Sequence, residues 1–113
     1  MSMKKLANCY YDKGEFDEAI KLNKDVLDKR TSTLGPSHVD TLICINSLAN
    51  CYSEKDEIEQ AIKLGKDALD KLPSTMGPTH ACTLVFKKNL AIYYRKKGDI
   101  KEATQLELSL IHI

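Results

Sequence analysis

The sequence predicts an all-α chain, a solenoid of antiparallel helix pairs, from three observations. The first is recurrence: Leu6-Ala7-Asn8-Cys9-Tyr10 returns as Leu48-Ala49-Asn50-Cys51-Tyr52 and, more loosely, as Leu90-Ala91-Ile92-Tyr93-Tyr94. The interval is 42 residues, and residues 4–45 set against 46–87 share 23 identities in 42 positions, too many for chance. A period of that length marks stacked copies of one supersecondary unit. The second is apolar spacing at steps of three and four, as on one stripe of a helix. The third is size: 113 residues, 42% hydrophobic and 29% charged, make one domain with a single shared core and exclude a multidomain enzyme.

The first helix of a unit is clearest in the second copy, where Leu42, Ile45, Leu48, Ala49 and Tyr52 share a face. The segment that follows repeats the pattern: Phe16, Ala19, Ile20 and Leu27 line one side, with Lys21, Lys24, Asp25 and Asp28 on the wet side. Between the two helices stand Gly14, Asp56 and Gly98, where a residue tolerant of the left-handed conformation ends one helix and turns the chain. Asp56 is the weakest of these three signals. Longer connections are predicted at Thr31 to Ser37 and Pro73 to Thr79, each carrying Gly-Pro and closing on a hydroxyl residue that caps the next helix, Ser37 with Asp40 as a capping box. Ala7, Ala49 and Ala91 on the first helices, and Ala19, Ala61 and Ala103 on the second, are small where the helices of a pair cross.

The repeats run over about 4–45, 46–87 and 88–113 within a single domain spanning 1–113. The last departs from the pattern: Lys66-Asp67-Ala68-Leu69-Asp70-Lys71 is matched by Leu108-Ser109-Leu110-Ile111-His112-Ile113. That hexapeptide is what one frame of a transposase library adaptor encodes, so 108–113 is expected to be an artefact that does not continue an amphipathic helix, the alternative being a divergent capping helix. Stacked repeats need polar terminal caps. None is evident in the sequence, so the chain is expected to be part of a longer array with ends that favour self-association.

Seventeen basic against 16 acidic side chains leave a net charge of +1, so no bulk field points to nucleic acid or a membrane surface. No apolar run reaches the roughly 20 residues of a membrane span, and the expected setting is cytoplasmic. Cys9, Cys44, Cys51 and Cys82 lie 35, 7 and 31 residues apart, with no zinc spacing, and are expected to be reduced structural thiols. Cys44, Cys51 and His38 are a weak metal set that burial explains more cheaply. The repeated His38 and His80 fit hydrogen-bonding roles near helix starts better than general bases. Phosphate-loop, dinucleotide, zinc-protease and nucleophile-elbow motifs are all absent, so neither an enzyme nor a cofactor is expected. Charge is uneven in one place: Lys87, Lys88, Arg95, Lys96 and Lys97 have no acidic residue among them between positions 80 and 97, so that end of the chain should favour anions.

Leu-Ala-x-x-Tyr on a first helix, Gly at the turn and Ala five residues later resemble the tetratricopeptide repeat. The 42-residue period and Leu34-Gly35-Pro36-Ser37-His38-Val39-Asp40-Thr41-Leu42 resemble its longer form in kinesin light chains and nephrocystin-3-type proteins, over residues 3 to 107. The pattern departs at Asn23, Gly65 and Glu107, which replace an aromatic residue of the second helix, and at Val39 and Ala81, which replace a proline. Gly65 inside a helix costs roughly 1 kcal/mol against Ala, and looser packing between repeats is expected there.

The resemblance implies a right-handed stack whose first helices line a concave groove. It maps groove positions onto Lys4, Asn8, Tyr11 and Asp12, then Ile43, Asn46, Asn50, Ser53 and Glu54, then Val85, Lys88, Ile92, Arg95 and Lys96. A carboxamide both donates and accepts, so Asn8, Asn46 and Asn50 suit the backbone of an extended peptide whatever its side chains. The resemblance also implies an acidic linear motif of a protein partner as ligand, and adaptor or scaffold work of the kind that links cargo to a motor. The carboxylate clamp of chaperone adaptors is matched by Lys4 and Asn8 but not by Ser47, Val85 and Asn89. A spacer or oligomerisation solenoid is the competing reading.

Overall fold

The same turn is built three times. Gly14, Asp56 and Gly98 hold positive φ angles of 80°, 64° and 94°. The amide after each donates five residues back, Glu15 to Tyr10 at 2.8 Å, Glu57 to Tyr52 at 2.9 Å and Asp99 to Tyr94 at 2.8 Å. The turn residues themselves donate three back, to Tyr11, Ser53 and Arg95. This pairing is the Schellman closure, which satisfies the last carbonyls of one helix while reversing the chain. The Asp56 signal, weak in sequence, therefore makes the same turn as its glycine counterparts.

These turns join the helices of a computed structural model that describes residues 3–72 and 81–111. The helices are α1 (Met3–Asp12), α2 (Phe16–Leu34), α3 (Val39–Glu54), α4 (Ile58–Asp70), α5 (Ala81–Lys97) and α6 (Ile100–Ile111). Each packs on the next in chain order, and α3 also touches α5. The body measures 40 × 32 × 19 Å; since a helix with its side chains is about 10–12 Å across, the short dimension holds two helix layers. This is an all-α solenoid, as predicted.

Helix crossings follow from the alanines. Ala7, Ala19, Ala49, Ala61 and Ala103 are fully buried, and Ala91 nearly so. Around them the core runs from Ile20, Leu48 and Cys51 between the first two pairs to Ile62, Leu90 and Tyr93 between the second and third. Leu42, Ile45, Ala68 and Phe86 close it at the ends of α4 and α5.

Three local expectations are corrected. Thr31 to Leu34, assigned to a connection, extend α2, because the Thr31 and Thr33 hydroxyls donate back to Leu27 and Lys29 carbonyls at 2.7 and 2.8 Å and so do not compete with the helix. The helix stops at Gly35, whose amide reaches the Arg30 and Thr31 carbonyls at φ 99°. The cap of α3 is His38 rather than Ser37: its Nδ1 accepts from the Asp40 amide at 3.1 Å. Nor do residues 108–111 break the helix, since α6 continues to Ile111 and Ser109 Oγ accepts from Lys87 at 2.8 Å. The Pro73–Thr79 connection, His80 and His112 lie outside the described residues.

Gly65 is the fourth. The expected looseness is absent, since a Cβ placed there would lie 3.2 Å from Leu90 Cδ1 and 3.4 Å from Tyr93 Cε2. The missing side chain brings α4 and α5 together.

Candidate peptide-binding groove

A period of 42 sorts the expected groove positions into rows, one residue per first helix. Lys4, Asn46 and Lys88 form the first row; Asn8, Asn50 and Ile92 the second; Tyr11, Ser53 and Arg95 the third; Asp12, Glu54 and Lys96 the fourth. Equivalent places in the repeat do not receive equivalent environments. Asn8 is exposed, Asn50 is half-buried and Ile92 is 41% exposed. Asn46 and Ser53 are buried, at 8% and 3% exposure.

Between α1 and α3 lies a recess of about 130 Å³, lined by Asn8, Tyr11, Asn23, Ser47, Asn50 and Cys51. Its floor is a polar cluster centred on Asn23 of α2. Lys4 Nζ donates to Asn23 Oδ1 at 3.1 Å, Asn23 Nδ2 donates to Cys51 Sγ at 3.6 Å, and Cys44 Sγ donates to the Asn23 carbonyl at 3.3 Å. Asn23 is only 2% exposed, so these contacts replace the water it gives up. Burial lowers the Lys4 pKa and raises those of the Cys44 and Cys51 thiols, which leaves both sulfurs protonated and weakly nucleophilic. The Tyr11 pKa is raised, first by burial and then by the Glu54 charge.

On the other side of α3, Tyr93 of α5 donates its hydroxyl to Asn50 Oδ1. Lys96 reaches the same helix, donating to Ser53 Oγ at 3.0 Å and lying 3.8 Å from Glu54. Arg95 turns away from α3: its guanidinium forks onto Glu107 of α6, Nε to Oε2 at 3.1 Å and a second nitrogen to Oε1. That pairing raises the Arg95 pKa and lowers that of Glu107, the hydrogen bond being the larger cause in both. Lys97 pairs with Glu59 at 2.9 Å. The basic run on α5 is thus partly neutralised by the fold: Arg95, Lys96 and Lys97 carry acidic partners, whereas Lys87 and the exposed Lys88 form no ion pair among the described residues.

The structure gathers Asn8, Tyr11 and Asn50 at one recess, and Lys4 donates to Asn23 of its lining. Ser53 and Lys96 are bonded to each other beside it, and Ile92 and Lys88 lie on α5. Sequence reasoning gave Asn23, Gly65 and Tyr93 no place in the site. A signal was present: where Asn23 becomes Gly65 one repeat later, Cys51 becomes Tyr93, so a small partner is exchanged for a large one as the opposite exchange occurs across the contact. All four cysteines are unbridged, and among the described residues no group of three His, Cys, Asp or Glu side chains is placed to hold a metal. No helix among them is long and apolar enough to cross a membrane.

Comparison with known proteins agrees with this fold. A tetratricopeptide repeat family model matches residues 1–74. No curated protein matches the chain. Among solved structures, the nearly identical TPR-like repeats of a Podosopora anserina protein described as a kinesin light chain superpose with a TM-score of 0.90 at 25% identity, covering 98% of this chain and 53% of that one. A single-residue variant of the same Podosopora protein gives 0.89 at 25% identity, with 98% and 52% coverage. BtubC (BKLC) from P. vanneervenii gives 0.89 at 20% identity, with 98% and 44% coverage, which shows the shared fold. The chain spans about half the length of these structures. It belongs to the tetratricopeptide repeat family, and its repeats are similar to those of kinesin light chains.

Proposed function

We propose that this chain is a non-catalytic binding module whose groove along α1, α3 and α5 holds an extended peptide of a protein partner. The observation that carries the reading is the recess between α1 and α3, where Asn8, Tyr11, Ser47 and Asn50 converge. Their polar atoms sit at a surface concavity and are not sealed in the core, and carboxamides suit peptide backbone because they donate and accept at once. Ile43, Val85 and Ile92, 36%, 49% and 41% exposed, add apolar surface on α3 and α5 for side chains of the same segment. Adaptor or scaffold work like that of kinesin light chains follows from the similarity of the repeats. The four unbridged cysteines suit a reducing, cytoplasmic setting.

The preference for acidic ligands rests on the exposed Lys88 of α5, since Lys87 donates to Ser109 of α6 and the remaining cations there already face carboxylates. Lys4 contributes its ammonium next to Asn23, which lines the recess. Attraction of this kind weakens as salt rises.

The test is selection of peptides from a phage-displayed library of random 12-residue sequences, followed by titration of the selected peptides against the wild type and Asn8→Ala/Asn50→Ala. Loss of at least tenfold in affinity with an unchanged melting temperature supports the groove. Selected peptides that bind both proteins equally defeat it, and favour a spacer. Titration at increasing salt separates an acidic from a neutral ligand.

A further inference from the structure

We propose that Tyr93 is a positioning residue of the groove: its hydroxyl holds the Asn50 carboxamide with Nδ2 toward the recess, so the centre of the groove selects a hydrogen-bond acceptor, a backbone carbonyl of the bound segment. The inference rests on the groove reading above and adds which atom of Asn50 meets the ligand and what fixes it.

Four observations carry it. The Tyr93 hydroxyl donates to Asn50 Oδ1, so the oxygen of the carboxamide is engaged and its two N–H groups are left for a ligand. Asn50 lines the recess while Tyr93 does not; Tyr93 is 1% exposed and acts from behind. Burial raises the Tyr93 pKa, so the phenol keeps the proton it donates. Gly65 makes room for the ring, a Cβ there falling 3.4 Å from Tyr93 Cε2 and 3.6 Å from Cδ2.

The equivalent asparagine supplies a comparison inside the same molecule. Asn8 stands one repeat before Asn50, and the residue placed as Tyr93 is placed relative to it is Cys51, whose sulfur accepts from Asn23. Asn8 is exposed and its side chain has no hydrogen bond among the described residues. Its carboxamide turns to suit either polarity of ligand atom, whereas that of Asn50 is oriented before the ligand arrives. Such pre-orientation removes an ordering cost from binding.

The experiment uses Tyr93→Phe, which keeps the ring against Gly65 and removes only the hydroxyl. Its first readout is the Asn50 side-chain amide pair in ¹H–¹⁵N spectra of the free protein. The pair is expected to shift toward unstructured values in Tyr93→Phe while backbone signals away from residues 50 and 93 stay in place; a pair that does not move overturns the positioning role. The second readout is affinity for a 12-residue peptide selected on the wild type and weakened by Asn50→Ala. Tyr93→Phe is expected to weaken it about five- to tenfold, with the effect abolished in an Asn50→Ala background. An effect that persists in that background, or no effect in the wild-type background, overturns the proposal. Alanine replacement of each acidic residue of the peptide is expected to leave the Tyr93→Phe ratio unchanged; a ratio that collapses with one acidic residue overturns the backbone carbonyl in favour of a side-chain carboxylate. A library that yields no groove-dependent peptide defeats the groove reading and the ligand clause together, an outcome distinct from an unmoved Asn50 signal.

Discussion

Gly65 and Tyr93 meet where the second helix pair packs on the third, and the space a side chain would fill at Gly65 is filled by the Tyr93 ring, 3.4 Å from the place of the missing Cβ. One repeat earlier the same two places hold Asn23 and Cys51, joined by a hydrogen bond of 3.6 Å. The two pairs are alternative fillings of one structural position.

Alanine at Gly65 therefore tests two opposed effects. It gains about 1 kcal/mol of helix propensity, but its Cβ presses on the buried Leu90 and Tyr93, 3% and 1% exposed. Overpacking of this kind costs about 1–3 kcal/mol. Gly65→Ala is expected to lower stability by about 1 kcal/mol in urea unfolding. An increase would mean that propensity dominates and that the contact is loose.

Exchanging both members should restore what single changes lose. Gly65→Asn drives a polar side chain into the ring, and Tyr93→Cys leaves a cavity, whereas Gly65→Asn/Tyr93→Cys recreates the pair seen at Asn23 and Cys51. The double variant is expected to be more stable than the sum of the single losses by about 1–3 kcal/mol, as coupled neighbours are. Strict additivity in the double-mutant cycle would refute alternative filling.

Asn23 holds α1, α2 and α3 at once. Asn23→Ala leaves Lys4 Nζ without its partner and Cys51 Sγ without its donor. A buried polar group stripped of its partner costs about 1–3 kcal/mol, so a loss of about 2 kcal/mol is expected. Asn23→Asp should keep the acceptor for Lys4 while removing the donor to Cys51, and comparison of the two by urea unfolding separates the contacts.

Asp56 holds φ 64° where its counterparts are glycine. Side chains pay a steric penalty in that region, with Asp less affected than most. Asp56→Gly is expected to raise stability by about 0.5 kcal/mol, whereas Gly14→Ala and Gly98→Ala should lower it by about 1 kcal/mol. Equal responses at all three turns would show that the left-handed angle is not what limits them.

Arg95 depresses the Glu107 pKa. A carboxylate with a lowered folded pKa stabilises the fold above its unfolded value and loses that contribution as pH falls through the folded value. Glu107, followed by carboxyl chemical shift, is expected to titrate below an ordinary glutamate in the wild type and to return to the ordinary range in Arg95→Gln. No change on substitution would show that the fork does not persist in solution. Both partners are solvent-exposed, so the effect on overall stability is expected to be small.

The repeat alone determined the helix pairs, the three tight turns, the buried alanines and the rows in which the candidate groove residues stand, because these depend on local conformation and on periodic burial, both written in residue spacing. Tertiary structure decided the environment of each row. Asn8, Asn50 and Ile92 occupy one place in the repeat, yet only Asn50 meets a tyrosine hydroxyl, because only between α4 and α5 does a missing side chain admit the ring. The basic stretch on α5 looked unopposed in sequence because its acidic partners, Glu54, Glu59 and Glu107, lie on α3, α4 and α6. Charge compensation is set by distance in space, and a pattern read along one helix does not contain it.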